Sequence, residues 1–266
     1  MAIGGLLGFL IGTVLGLTGA GGGIFAVPAL VFGLSMDIRT AAPVALLAVG
    51  SAAGLGALHG LRQGIVRYRA AILLAASGTL TAPLGIKLAH WLPPYWLNAI
   101  FAATMLVVAY RMFASSRGAQ TAAGAPAQRA GVCRISQETG RFVWNLRTMA
   151  TLMSVGFVSG LFTGMLGVGG GFIIVPALAY FTELRMHSIV ATSLMVIALL
   201  SAVTVFIAWG QGVSLTGPAW AFWALALAGM GIGRLLAPKI PPAMLQRIFS
   251  IACFAVAVMM LMRNTG

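Results

Sequence analysis

The sequence predicts an all-α integral membrane protein made of two homologous halves in inverted orientation. Each half is expected to hold a glycine-broken, re-entrant helical segment and three transmembrane helices. Three observations predict this. Hydrophobic residues make up 60% of the 266 positions and charged residues 7%, with a mean hydropathy of +1.02. Soluble domains carry about a quarter charged residues. Gly16-Leu17-Thr18-Gly19-Ala20-Gly21-Gly22-Gly23 returns as Gly164-Met165-Leu166-Gly167-Val168-Gly169-Gly170-Gly171 at an offset of 148 residues. The basic residues lie in loops between apolar spans, unevenly between the two sides.

The first apolar segment runs from about Ala2 to Leu34 and contains the first glycine cluster. As one straight helix it would measure about 50 Å, too long for a hydrocarbon core of about 30 Å. Five glycines lower helix propensity by roughly 1 kcal/mol each relative to alanine, so the segment is expected to break and fold back. Three spans follow at about Thr40–Leu61, Ala70–His90 and Tyr95–Met112. Residues 114–147, with five arginines, read as a polar linker; its end at Phe142–Leu146 is expected to form a short interfacial helix. The series then restarts at Thr148–Thr182, Ser188–Trp209, Pro218–Pro238 and Ala243–Met262. The organisation is thus residues 1–113, a linker at 114–147, and residues 148–266.

The 148-residue offset runs through each half without a gap. Gln63-Gly64 matches Gln211-Gly212, Pro93-Pro94 matches Pro241-Pro242, and Gly85 matches Gly233. Many transporter folds are built from such repeats. A fold-back hairpin plus three spans makes an odd number of crossings, so the halves would be inverted. That arrangement leaves only Arg39, Lys87 and Arg263 of the 16 Lys and Arg outside. A first segment that simply crosses would put six outside. The positive-inside bias prefers the inverted arrangement, with the linker cytoplasmic.

A helix that restarts inside a membrane presents free N–H groups and a positive dipole end, which favour an anion. Gly19, Gly21, Gly22 and Gly23, with Gly167, Gly169, Gly170 and Gly171, are therefore the expected centre of a binding site. The alternative is that they only let helices cross closely. Polar groups within the spans are the other candidates. Thr192 and Ser193 could donate to an oxyanion or bond back to their own helix; their first-half counterparts are Val44 and Ala45. Gln63 and Gln211 end matching spans, where capping is the simpler role. His59 and Arg62 could form a basic mouth, and His59 is the one candidate for proton coupling in a span.

Several function classes drop out. The net charge of +13 is distributed as positive-inside loops rather than as a nucleic-acid groove, so the expected partners are the bilayer and a small anion, with homo-oligomerisation left open. Asp37, Glu138 and Glu183, the three acidic residues, lie outside the spans, leaving no carboxylate pair for hydrolysis. Two cysteines, Cys133 and Cys253, give no metal spacing. No cofactor and no enzymatic chemistry are expected.

At the glycine clusters, each followed by Val27-Pro28 or Val175-Pro176, and at Thr192-Ser193-Leu194, the chain resembles the TauE/SafE family of sulfite and organosulfonate exporters. The resemblance spans nearly the whole chain outside the linker. It implies export of a small sulfur-containing anion, such as sulfite or sulfoacetate, or of a related organic acid, across the cell inner membrane. An ion-uncoupled facilitator and a non-transporting subunit of a membrane complex are the competing readings.

Overall fold

A computed structural model describes residues 2–18, 22–121, 144–182, 184, 186–210, 217–236 and 242–265. Ten helices run through them: α1 (Ala2–Thr18), α2 (Gly23–Gly33), α3 (Ile38–Arg62), α4 (Tyr68–Trp91), α5 (Pro94–Thr121), α6 (Leu146–Leu166), α7 (Gly171–Phe181), α8 (Met186–Gly210), α9 (Gly217–Leu236) and α10 (Pro242–Thr265). By length and composition α3, α4, α6, α8 and α9 can each cross a membrane. Leu80, Phe206 and Leu235 are each about 70% exposed or more, which suits surfaces that meet lipid.

Each glycine cluster ends one helix and begins a short one. Leu15 of α1 stands beside Gly22, and Leu7 beside Gly33 at the far end of α2, so α2 doubles back along α1. At 11 residues, α2 is about 16 Å long, half a membrane core. α7 has the same 11-residue length. Pro28 and Pro176 lie five residues into these short arms.

Helix pairing crosses between the halves. α1 packs along α9 and α6 along α4, while α3 meets α8 and α5 meets α10. Glycines set the closest approaches: a Cβ on Gly12 would run into the carbonyl of Ala226, and one on Gly160 into the carbonyl of Gly78. These two contacts are related by the same 148-residue offset. Residues near Gly50, Gly54, Gly56 and Gly60 of α3 face Ser201, Ala198, Leu194 and Ala191 of α8 in turn. The two equivalent helices therefore run antiparallel along a seam of small residues.

Loop chemistry accounts for the helix ends. Asp37 caps α3 by accepting from the Arg39 amide at 3.3 Å. Gln63 ends it, and Gly64 turns left-handed at φ +69°. The Ile65 amide then donates to Gly60 and the Gly64 amide to Leu61, the paired bonds of a Schellman stop. That explains why glycine follows glutamine there. Two expectations are corrected. α5 continues to Thr121 rather than ending near Met112. Trp144 and Asn145, expected in an interfacial helix, are non-helical and lead into α6 at Leu146; Phe142 and Val143 lie outside the described residues.

Candidate functional site

The second break is built of left-handed glycines. Gly167 caps α6 at φ +73°, and Gly169 and Gly170 follow at φ +76° and +69°. Side chains with a Cβ avoid that region by about 1–2 kcal/mol. α7 then starts at Gly171, with the Ile173 and Ile174 amides donating to the Gly170 carbonyl at 3.0 and 3.1 Å. The amides of Gly169, Gly170, Gly171 and Phe172 have no backbone acceptor among the described residues. All four residues are buried. Buried amides call for a partner.

The first break follows the same plan with different geometry. Gly22 is right-handed, at φ −60° and ψ −30°, and its carbonyl accepts from Phe25 at 3.2 Å. Gly19 and Gly21 lie outside the described residues. The two short arms converge: a Cβ on Gly23 would stand 2.6 Å from the Val168 carbonyl and 3.1 Å from Val49. One on Gly169 would meet Ile197 at 3.0 Å and Ser201 Oγ at 3.4 Å. Val49 and Ile197 are counterparts near the midpoints of α3 and α8.

Three fully buried hydroxyls gather at the second break, while Thr18 at the first is half-buried and bonds back to Val14. Ser159, Thr163 and Ser201 are all buried around the second break, where their first-half counterparts are Ile11, Leu15 and Ala53. Ser159 donates to the Gly170 carbonyl at 3.3 Å and Thr163 to the Ser159 carbonyl at 2.7 Å. Ser201 is 1% exposed and its Oγ has no hydrogen-bond partner among the described residues. A buried hydroxyl left unpaired costs about 1–3 kcal/mol, so this one is a ready donor. The sequence reading missed all three residues; their apolar counterparts at the repeat offset were the available signal.

The remaining expected residues lie elsewhere. Thr192 and Ser193 are buried at the start of α8. Thr192 accepts from the Arg67 amide at 3.0 Å and Ser193 donates to the Val190 carbonyl at 2.8 Å. They sit a little over one turn from Ile197 and a little over two from Ser201. His59, Arg62 and Gln63 are exposed in the last turn of α3, with Gln63 Nε2 and His59 Nε2 3.0 Å apart. Ten residues separate His59 from Val49, about 15 Å along a helix. Gln211 lies outside the described residues.

A cavity of about 110 Å³ opens beside the second break, between α3, α4, α6 and α8. Arg39 and His90 stand at it, and Leu46, Ile86, Met165 and Thr204 line it. Arg39 also donates to the Leu92 carbonyl at 2.9 Å. Ala42, another wall residue, is what a Cβ on Gly167 would meet. The cavity thus reaches the point where α6 ends.

Long apolar helices packed around two helix breaks make this a multi-pass membrane protein in class. The chain matches the family described as sulfite exporter TauE/SafE over residues 4–260 and belongs to it. It is 29% identical over 260 residues to a probable membrane transporter protein of Xylella fastidiosa strain 9a5c, covering 97% of this chain and 93% of that one. It is 24% identical over 196 residues to the probable membrane transporter protein YdhB of Bacillus subtilis, covering 72% of each. No solved structure matches the chain.

Proposed function

We propose that this protein exports a small sulfur-containing anion, sulfite or sulfoacetate in kind, across the inner membrane. The anion sits at the second glycine break near the bilayer midplane. The observation that carries the reading is the buried Ser201 hydroxyl, unpaired among the described residues, beside four amides at Gly169–Phe172 that have no backbone acceptor there. The first break, at Gly22 and Gly23, closes the site from the other side. Thr192 and Ser193 are secondary donors along the inner path, and His59, Arg62 and Gln63 form its basic mouth. The chain functions in the bilayer as two repeats, residues 1–113 and 148–266, joined by a cytoplasmic linker.

Purified protein in liposomes, tested with sulfite, sulfoacetate, sulfolactate, sulfate and acetate, checks the reading directly. Flux without any partner excludes an accessory subunit. Ser201→Ala supplies the sharper test. Loss of a hydrogen bond to a charged ligand costs about 1.5–3 kcal/mol, so anion affinity should fall by about tenfold or more. The empty protein should melt no lower than wild type, because an unpaired buried hydroxyl has been removed. Undiminished affinity in Ser201→Ala would place the anion elsewhere. Thr192→Val with Ser193→Ala, measured alongside, lowers affinity if these residues bind and lowers only the melting temperature if Thr192 merely ties down Arg67.

Inverted repeats are supported by the antiparallel seam of α3 and α8 and by the charge bias. Gly217→Cys and Thr265→Cys, in a background lacking Cys133 and Cys253, should both react with an impermeant thiol reagent from the periplasmic face. Protection of both is the result that refutes the orientation.

A further inference from the structure

The cavity beside the second break has a counterpart position in the other half, and a guanidinium stands there. At the repeat offset, Ile86 of the cavity wall becomes Arg234, Thr204 becomes Gly56, Leu46 becomes Leu194 and Gly164 becomes Gly16. These four are assembled in space. Arg234 Nη1 donates to the Gly56 carbonyl at 2.9 Å. A Cβ on Gly56 would lie 2.7 Å from Nη1 and 2.9 Å from Leu194, and one on Gly16 would lie 2.8 Å from the Arg234 amide. Glycine in place of threonine is what makes room for the side chain.

A guanidinium has five N–H donors, and this one has a single hydrogen bond among the described residues. Asp37, the one described carboxylate, caps the opposite end of α3. Arg234 is half-buried and turned toward α3 rather than out toward lipid headgroups. The fold does not need a cation at this place, since Ile86 fills the equivalent one. About one and two turns further along α3 lie His59 and Arg62, so the guanidinium stands between that basic mouth and the breaks.

We propose that Arg234 is an anion-capturing residue of the inner mouth, whose guanidinium exchanges the Gly56 carbonyl for a small oxyanion on its way to the central site. Two forked N–H groups suit the two oxygens of a sulfite-like anion, as they suit carboxylate or phosphate. The outer cavity has isoleucine at this position, and its own guanidinium, Arg39, comes from α3 and is tied to the Leu92 carbonyl at 2.9 Å. The proposal rests on the transport reading above and on the linker side being cytoplasmic.

The test measures sulfite transport from each face separately, in right-side-out and everted membrane vesicles. Arg234→Met keeps an apolar stem in a position where the twin carries Ile86. It should raise the half-saturating sulfite concentration by about tenfold or more at the inner face, with the outer-face value within about twofold. Arg234→Lys keeps the charge without the fork and should fall between, at about threefold. If wild type carries no sulfite from either face, the sulfite-transport reading fails and the assignment falls with it. If wild type transports and Arg234→Met changes neither face, or both equally, only the assignment to Arg234 is overturned. Should Arg234→Met not accumulate, the same comparison in Arg234→Lys decides.

Discussion

Gly170→Val is expected to yield no transport, and little folded protein. Two costs coincide at this position. A φ of +69° is disfavoured for any residue with a Cβ, and more so for a β-branched one. The new Cβ would also run into the Ser159 hydroxyl and stand 2.7 Å from Thr163 Oγ1. These costs are separable. Gly170→Ala in a Ser159→Gly background removes the closest clash and should recover part of the lost melting temperature, leaving the Thr163 contact and a backbone term of about 1–2 kcal/mol. Its twin Gly22→Val should fail as completely for another reason. At φ −60° no backbone strain arises, but the Cβ would lie 2.5 Å from the Leu15 amide nitrogen, and trimming the Leu15 side chain cannot relieve a backbone clash. Full transport by either valine variant would mean that the breaks are not held as described.

The second large effect falls on the interhelix glycines. Gly160→Val should prevent α6 from seating on α4, because its Cβ would occupy the position of the Gly78 carbonyl. Gly12→Val should do the same to α1 on α9 at the Ala226 carbonyl. Losses of similar size are expected in both, read as detergent-resistant folded protein after solubilisation. Gly231 of α9 has nothing within 4 Å of a built Cβ, so Gly231→Ala should be neutral or stabilise by up to about 1 kcal/mol from helix propensity. A uniform response across the three positions would contradict the packing.

The duplication and the helix breaks were legible in the sequence because backbone physics writes them in residue type. Only glycine sits readily in the left-handed turns at 167, 169 and 170, and Gln-Gly at 63–64 announces a helix stop. The hydroxyl cluster was not legible. Ser51, Ser77, Thr13 and Thr104 all bond back to carbonyls three or four residues earlier, and nothing local distinguishes them from Ser201, which does not. Only the pairing of α3 with α8, set by contacts about 150 residues apart, brings that hydroxyl to the break. Arg234 was similarly hidden among the basic residues counted on the inner side, since its partner Gly56 is 178 positions away. Thr192 drew attention by motif, yet its hydroxyl meets the Arg67 amide across 125 residues.

The pairing of α1 with α9 sets an order of assembly during synthesis. When α6 enters the membrane, α4 is already there to receive its glycine face. α1 has no such host: Gly12 waits for Ala226, which is made 214 residues later. At about 5–20 residues per second, that is an interval of roughly 10–40 s in which the first helix holds an unmatched groove against lipid or the insertion machinery. The first hairpin to be translated is therefore the last to be locked in place. A nascent chain stalled before Gly217 would hold a settled second hairpin and an unanchored first one.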